Sequence, residues 1–304
     1  MTAASAGTVP ADRPGEPGDF ERRALADVLH SSGTEVVELI SRGGDGGWQL
    51  LIAEPEGLRR WTVVVAADAN STEVLAEATA VTVLRARVDA RTRATLPEPV
   101  CLVDVGRRTG MLFAALPGRP MTTDLGGPRC HLAAALAWLR DFWATSQGGS
   151  AQVGYLDRLG DGAFLEAVPP RARDTVERAL RRLATQSTPR TAVHGSTSPA
   201  TLRLDGSQVV GVDDWRRTAF AGEPMSDLVG FAVRYAPDLL PGVAADGRGG
   251  FAEMISGYLR AGLETLRADP ELWLDLLVAG SAGALHEPQP VANGARAFLA
   301  RLAA

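Results

Sequence analysis

His194-Gly195-Ser196-Thr197-Ser198-Pro199-Ala200-Thr201 opens the stretch whose reading decides the fold. Behind it, Leu202-Arg203-Leu204 and Val209-Val210-Gly211-Val212 flank Asp205-Gly206, a dipeptide that favours the tight turn of a β-hairpin. Gly211-Val212-Asp213-Asp214-Trp215 places two consecutive carboxylates at the end of that hairpin. Gly222-Glu223-Pro224-Met225-Ser226-Asp227-Leu228 then starts a helix. Polar loop, hairpin, paired carboxylates and helix start follow one another without a gap, and the chain's polar chemistry is concentrated there.

Working outward, apolar residues at helical spacing predict helices over Pro224–Tyr235, Gly249–Arg267, Pro270–Ala284 and Val291–Leu302 downstream, and over Arg129–Thr145 and Pro170–Thr185 upstream. Trp138, Phe142 and Trp143 read as core, and His286-Glu287-Pro288 as a helix end. Further upstream the pattern changes to strands at Glu35–Ser41, Trp48–Ala53 and Trp61–Ala66, a helix over Ser71–Val88, and strands at Val100–Val105 and Met111–Leu116. The turn Gly43-Gly44-Asp45-Gly46-Gly47 reads as an ordinary hairpin, because Asp45 would repel a phosphate. Leu116-Pro117-Gly118-Arg119-Pro120 breaks the pattern and marks a boundary. The expected organisation is α+β: residues 1–18 a disordered tail, 19–116 a small antiparallel sheet carrying one helix, and 117–304 a larger helical lobe interrupted by the hairpin.

Composition narrows the chemistry. The chain has 304 residues and a formal charge of −5, which argues against a nucleic-acid surface. It contains no lysine, all 31 of its basic residues being arginine, so no lysine-dependent step is available. Cys101 and Cys130 lack CxxC partners and sit in apolar segments, where reduced core thiols are expected. No apolar run is long enough to span a bilayer and no signal segment opens the chain, so a cytoplasmic protein is expected.

The stretch from His194 to Leu228 resembles the catalytic core of the aminoglycoside phosphotransferase and choline kinase family, whose pattern is H-G-D-x-x-P-x-N, a hairpin, I-D-W, then G-x-P-x-x-D-L. His194, Gly195, Pro199, Asp214-Trp215 and Pro224-x-x-Asp227-Leu228 match in order and spacing. The resemblance implies a two-lobed, protein-kinase-like fold with a ligand cleft between the lobes. It implies bracing roles for His194, Asp227 and Trp215, and it makes Asp214 the candidate metal ligand. The departures are as informative. Ser196 stands where the family has the aspartate serving the acceptor hydroxyl, and Thr201 where it has a metal-binding asparagine. The phosphate-binding lysine of the third strand is absent, leaving Glu77, its helix partner, free to pair with an arginine or face solvent. Asp213 adds a carboxylate at a position normally apolar.

Phosphoryl transfer requires an acceptor-side carboxylate, metal ligands and a cation on the phosphates. General-base assistance alone is worth roughly 10²- to 10⁴-fold, and charge clamping usually more. These departures predict a degenerate phosphotransferase, a pseudokinase, that binds or modifies a peptide or small metabolite in its cleft, as relatives in ribosomal-peptide and other natural-product pathways suggest. No cofactor is expected on this reading. An alternative is an active divergent kinase with ATP and Mg²⁺ on Asp213, Asp214, Thr201 and Glu77, and with Arg59, Arg60 or Arg216 on the phosphates. Another is a non-catalytic partner of an enzyme. Ser196, Asp214 and His194 are the candidate reactive residues.

Overall fold

The computed structural model describes residues 35–41, 48–53, 60–65, 72–105, 108–121, 126–154, 163–246 and 250–303. The expected tail over residues 1–18, the Gly43–Gly47 turn and Arg59 lie outside these residues.

The chain divides into two compact units, one running to Ala78 with Glu98–Ala115 added, the other joining Thr79–Pro97 to Leu116–Ala304. The division is therefore not a single cut near residue 116, and residues 79–97 belong with the larger unit. In the first unit, β1 (Glu35–Ser41), β2 (Trp48–Ala53), β3 (Arg60–Val65), β4 (Glu98–Val105) and β5 (Arg108–Ala114) form one antiparallel sheet in the order β1-β2-β3-β5-β4. Val63, Val64 and Val65 are all buried, so β3 packs on both faces, as a central strand rich in β-branched residues does. Val64, Met111 and Phe113 meet Val74 and Ala78 from the start of α1 (Thr72–Arg87).

The second unit is mainly helical. After a short α2 (Ala90–Arg93) and β6 (Arg119–Pro120), α3 (Pro128–Thr145) starts with proline in its first turn and buries Leu132, Leu136, Leu139, Phe142 and Trp143 on one face. α4 (Arg173–Leu183) buries Val176, Ala179, Leu180 and Leu183 and turns its arginines outward. α5 (Met225–Tyr235), α6 (Leu240–Asp246), α7 (Gly250–Thr265), α8 (Trp273–Gly283) and α9 (Val291–Leu302) follow, with a single continuous core running through them. The core of α8 is apolar through Leu276, Leu277, Val278 and Ala279, which suits a helix packed on several sides.

Several elements escape the sequence pattern. β7 (Gln147–Gly154), β8 (Ser187–Val193) and β11 (Ala219–Gly222) form a sheet in the order β11-β8-β7 where only helices and loops were expected. Their glycines and Pro189 hide the alternation that marks a strand. The expected hairpin is present as β9 (Leu202–Asp205) and β10 (Gln208–Val212), with β6 added on the β9 side. Its turn residues are Gly206 and Ser207, one position beyond Asp205-Gly206, and Gly206 takes φ +58°. The expected core position of the cysteines is corrected: Cys101 and Cys130 are both free and both exposed, one on the sheet-edge strand β4 and the other in the first turn of α3. No described helix is long and apolar enough to cross a membrane.

Candidate functional site

The polar loop between β8 and β9 is anchored from below by one carboxylate. Asp227, in the first turn of α5 and 1 % exposed, accepts hydrogen bonds from the backbone N–H of His194 (2.7 Å), the N–H of Gly195 (2.8 Å) and the hydroxyl of Thr197 (3.1 Å). Gly195 is at φ +83°, and a Cβ there would fall on the Arg217 carbonyl, so only glycine fits. The loop also leans on α5 through Arg234, which reaches the Thr197 carbonyl and pairs with Glu287.

His194 is fully buried against Trp215, with ring centroids 4.6 Å apart and an edge-to-face angle of 71°. Its Nε2 lies 2.8 Å from the Asp213 carbonyl oxygen, which can only accept, so Nε2 carries the proton. Nδ1 is therefore the acceptor, and it faces the Ser196 N–H at 3.3 Å. Trp215 donates from Nε1 to the Val212 carbonyl and packs edge-on against Trp138 and Phe142.

Ser196 Oγ lies 3.3 Å from His194 Nδ1 and donates to the Asp214 carbonyl at 3.1 Å. An activated serine needs a base at about 2.6–3.2 Å. Here the imidazole already takes a backbone N–H and the hydroxyl points at a carbonyl, so the pair has the geometry of a loop brace. Thr201 is buried, and its hydroxyl closes a local turn, accepting from Ser198 N–H and donating to the Ser198 carbonyl, both at 3.0 Å.

The two carboxylates lie just past the end of β10. Asp213 Oδ2 meets Arg203 Nε at 2.7 Å, with side chains 18 % and 10 % exposed. Asp214 sits at φ +64°, a conformation uncommon outside glycine, and is gripped by Arg216 on both oxygens, Nε to Oδ1 at 2.7 Å and Nη2 to Oδ2 at 3.3 Å. A divalent cation needs carboxylate oxygens with open lone pairs. These residues do not fit one: Asp214 is covered by a guanidinium, Thr201 is turned inward, and no group of three or more His, Cys, Asp or Glu that could hold a metal occurs among the described residues. Glu77 is 2 % exposed within the first unit, which removes the expected option of facing solvent. It belongs to the first unit, whereas the loop residues all belong to the second.

Arg203, Glu223, Arg234 and Glu287, which the sequence does not mark as site residues, complete the site. Arg203, on the hairpin, holds Asp213, and no motif marks it. Buried Glu223 caps α5 through the N–H groups of Met225 (2.6 Å) and Ser226 (3.0 Å), and its place before Pro224 at a helix start was the available signal. Glu287 holds Arg234. A cavity of about 260 Å³ opens beside the loop, lined by Gly195, Arg217, Glu223, Gly230, Arg234 and Glu287 among others.

Solved structures of other proteins share this arrangement of elements. The macrolide 2'-phosphotransferase MphH from Brachybacterium faecium superposes with a TM-score of 0.58 at 16 % identity, covering 91 % of this chain and 97 % of that one. Aminoglycoside phosphotransferase APH(4)-Ia, in a ternary complex with AMP-PNP and hygromycin B, gives 0.60 at 14 % identity over 94 % and 97 %. The chain has the aminoglycoside-phosphotransferase-like fold. The protein-kinase-like class of that fold extends to the Plasmodium vivax ethanolamine kinase, at a TM-score of 0.52 and 10 % identity over 93 % and 86 %. No protein-family model and no curated protein sequence matches the chain. Identities this low speak for the phosphotransferase-like fold alone, so function has to be argued from the loop.

Proposed function

We propose that this chain is a degenerate phosphotransferase, a pseudokinase, that has lost ordinary ATP-dependent phosphoryl transfer and binds or modifies a peptide or small metabolite instead. One observation carries the reading: the four loop residues at or beside the family's catalytic positions, Ser196, Thr201, Asp213 and Asp214, are engaged with neighbouring protein groups. Ser196 offers a hydroxyl committed to the Asp214 carbonyl, Thr201 closes its own turn, and Asp213 and Asp214 are each held by an arginine. A transition state that spreads charge over phosphoryl oxygens finds a hydroxyl in place of the carboxylate at position 196 and no lysine to clamp it.

A peptide ligand, such as the ribosomal peptides of natural-product pathways, is the family resemblance's contribution. In support, the cavity beside Gly195 is lined by charged groups of both signs and by Val229 and Val233, which suits a ligand with polar and apolar parts.

The test is a thermal-shift and calorimetric titration with ATP and GTP, with and without Mg²⁺. A ligand at 100 times its dissociation constant would add about 2.7 kcal/mol of stability, so binding would be plain. The expected result is no shift and no turnover. A second reading, an active divergent kinase, has one observation in its favour, the retention of Asp214 at the hairpin end. It predicts Mg²⁺-dependent binding and ATP turnover abolished in Asp214→Asn.

A further inference from the structure

Two consecutive, partly buried carboxylates need positive charge nearby, because desolvated anions side by side repel one another and lose their hydration. A protein can meet that need with a bound metal ion or with its own side chains. Here each carboxylate meets an arginine, and the two pairs differ in how they are built. Arg203 reaches Asp213 from the neighbouring strand of the hairpin, and Gly211 lets its stem lie close against the backbone. Arg216 reaches Asp214 from only two residues away and covers both carboxylate oxygens with one planar fork. Asp214 and Arg216 side chains are 25 % and 20 % exposed, so water screens the pair only in part. A cation tied to the same turn acts at an effective concentration that a free ion in solution does not match.

From this geometry we propose that Arg216 is a tethered cation that takes the place of a divalent metal ion at Asp214, so that the loop excludes such ions and any ligand it binds is recognised without them. The inference rests on the reading of the loop as one turned away from phosphoryl transfer, and it assigns the exclusion to a single side chain. Arg216 covers the oxygens a metal would take, while Asp214 itself stays at the hairpin end with its carboxylate intact. Removing the guanidinium therefore uncovers both oxygens of a partly buried anion. The exclusion is reversible by one substitution at position 216.

The experiment is Mn²⁺ binding to the full chain, followed by the loss of the free-ion electron paramagnetic resonance signal, with circular dichroism to confirm folding. Wild type leaves Mn²⁺ free, Arg216→Gln binds it about tenfold or more tightly, and the double variant Arg216→Gln/Asp214→Asn loses the gain. Binding by wild type as tight as by Arg216→Gln overturns the proposal, as does a folded Arg216→Gln that takes no more Mn²⁺ than wild type. Should Arg216→Gln not fold, Arg216→Lys keeps the charge but covers one oxygen at a time. Mn²⁺ binding by Arg216→Lys that is tighter than by wild type supports the proposal, and binding no better than wild type overturns it. The two readings fail separately. ATP turnover by wild type that persists in EDTA sinks the loss of transfer and leaves the tethered cation standing. Mn²⁺ uptake by a wild type that turns over no ATP does the reverse.

Discussion

Asp227 is the residue on which the loop's geometry depends most directly. It satisfies two backbone N–H groups and one hydroxyl, of which the His194 N–H and the Thr197 hydroxyl are buried. An unsatisfied buried donor costs roughly 1–3 kcal/mol. Asp227→Ala should therefore lower the free energy of unfolding by about 3 kcal/mol or more, read from urea denaturation, and a loss under 1 kcal/mol would mean that the loop finds other partners. Tyr258 is the opposite case. Its hydroxyl is buried with no hydrogen-bond partner among the described residues, and burial, helped by the Asp227 carboxylate, pushes its ionisation well above the usual tyrosine range. The group stays neutral at any ordinary pH, so it contributes desolvation cost and no charge. Tyr258→Phe should leave stability unchanged or raise it by up to about 1 kcal/mol, and a clear loss would reveal a partner for the hydroxyl. The sequence marks Asp227, through the Pro-x-x-Asp-Leu spacing; it holds no sign of what Tyr258 lacks, because a missing partner is a property of the neighbourhood.

At the scale of elements, the helical unit is held by close approaches that only small residues permit. Gly294, in α9, is the clearest: a Cβ there would fall on the backbone carbonyl of Pro237, which cannot swing aside as a side chain can. Gly262 and Gly280 meet the Leu228 and Val229 side chains of α5 in the same way, from α7 and α8. Alanine favours a helix over glycine by about 1 kcal/mol, yet overpacking costs about 1–3. Gly294→Ala should therefore destabilise despite its better helix propensity, by about 1–2 kcal/mol in a chemical melt, and a stabilised variant would show that α9 can shift. Helix positions were legible because their apolar stripes recur at 3–4 residues over long runs, and Val291–Leu302 was expected with those bounds. β7, β8 and β11 were not, because a strand of four to eight residues with Gly or Pro inside carries little period to read.

For the whole molecule, the two units differ in size. Among the described residues, the first unit's cluster joins Val64, Val74, Ala78, Met111 and Phe113, whereas the second unit's runs from Val81 to Leu299 through every long helix. The first unit is the shorter in chain length, and a smaller unit buries a smaller fraction of its surface and opens at lower cost. In hydrogen exchange with rising urea, amides of β3 and β5 should lose protection before those of α5 and α8. Simultaneous loss would mean that the units unfold as one.

Read without coordinates, the chain already determined its architecture class and the place of its candidate site, because element order, helical period and the spacing from His194 to Leu228 are written along one dimension. It also determined what is missing: no lysine anywhere, a hydroxyl at 196 and another at 201. Only the tertiary structure decided where the remaining polar groups are spent. Arg203 is ten residues from Asp213 and Arg234 is far from Glu287 in sequence, and nothing local distinguishes these arginines from the others. Whether a carboxylate faces a guanidinium, a metal ion or water depends on the turn at Asp214 and on the strands and helices around it, and that neighbourhood exists only once the chain has folded.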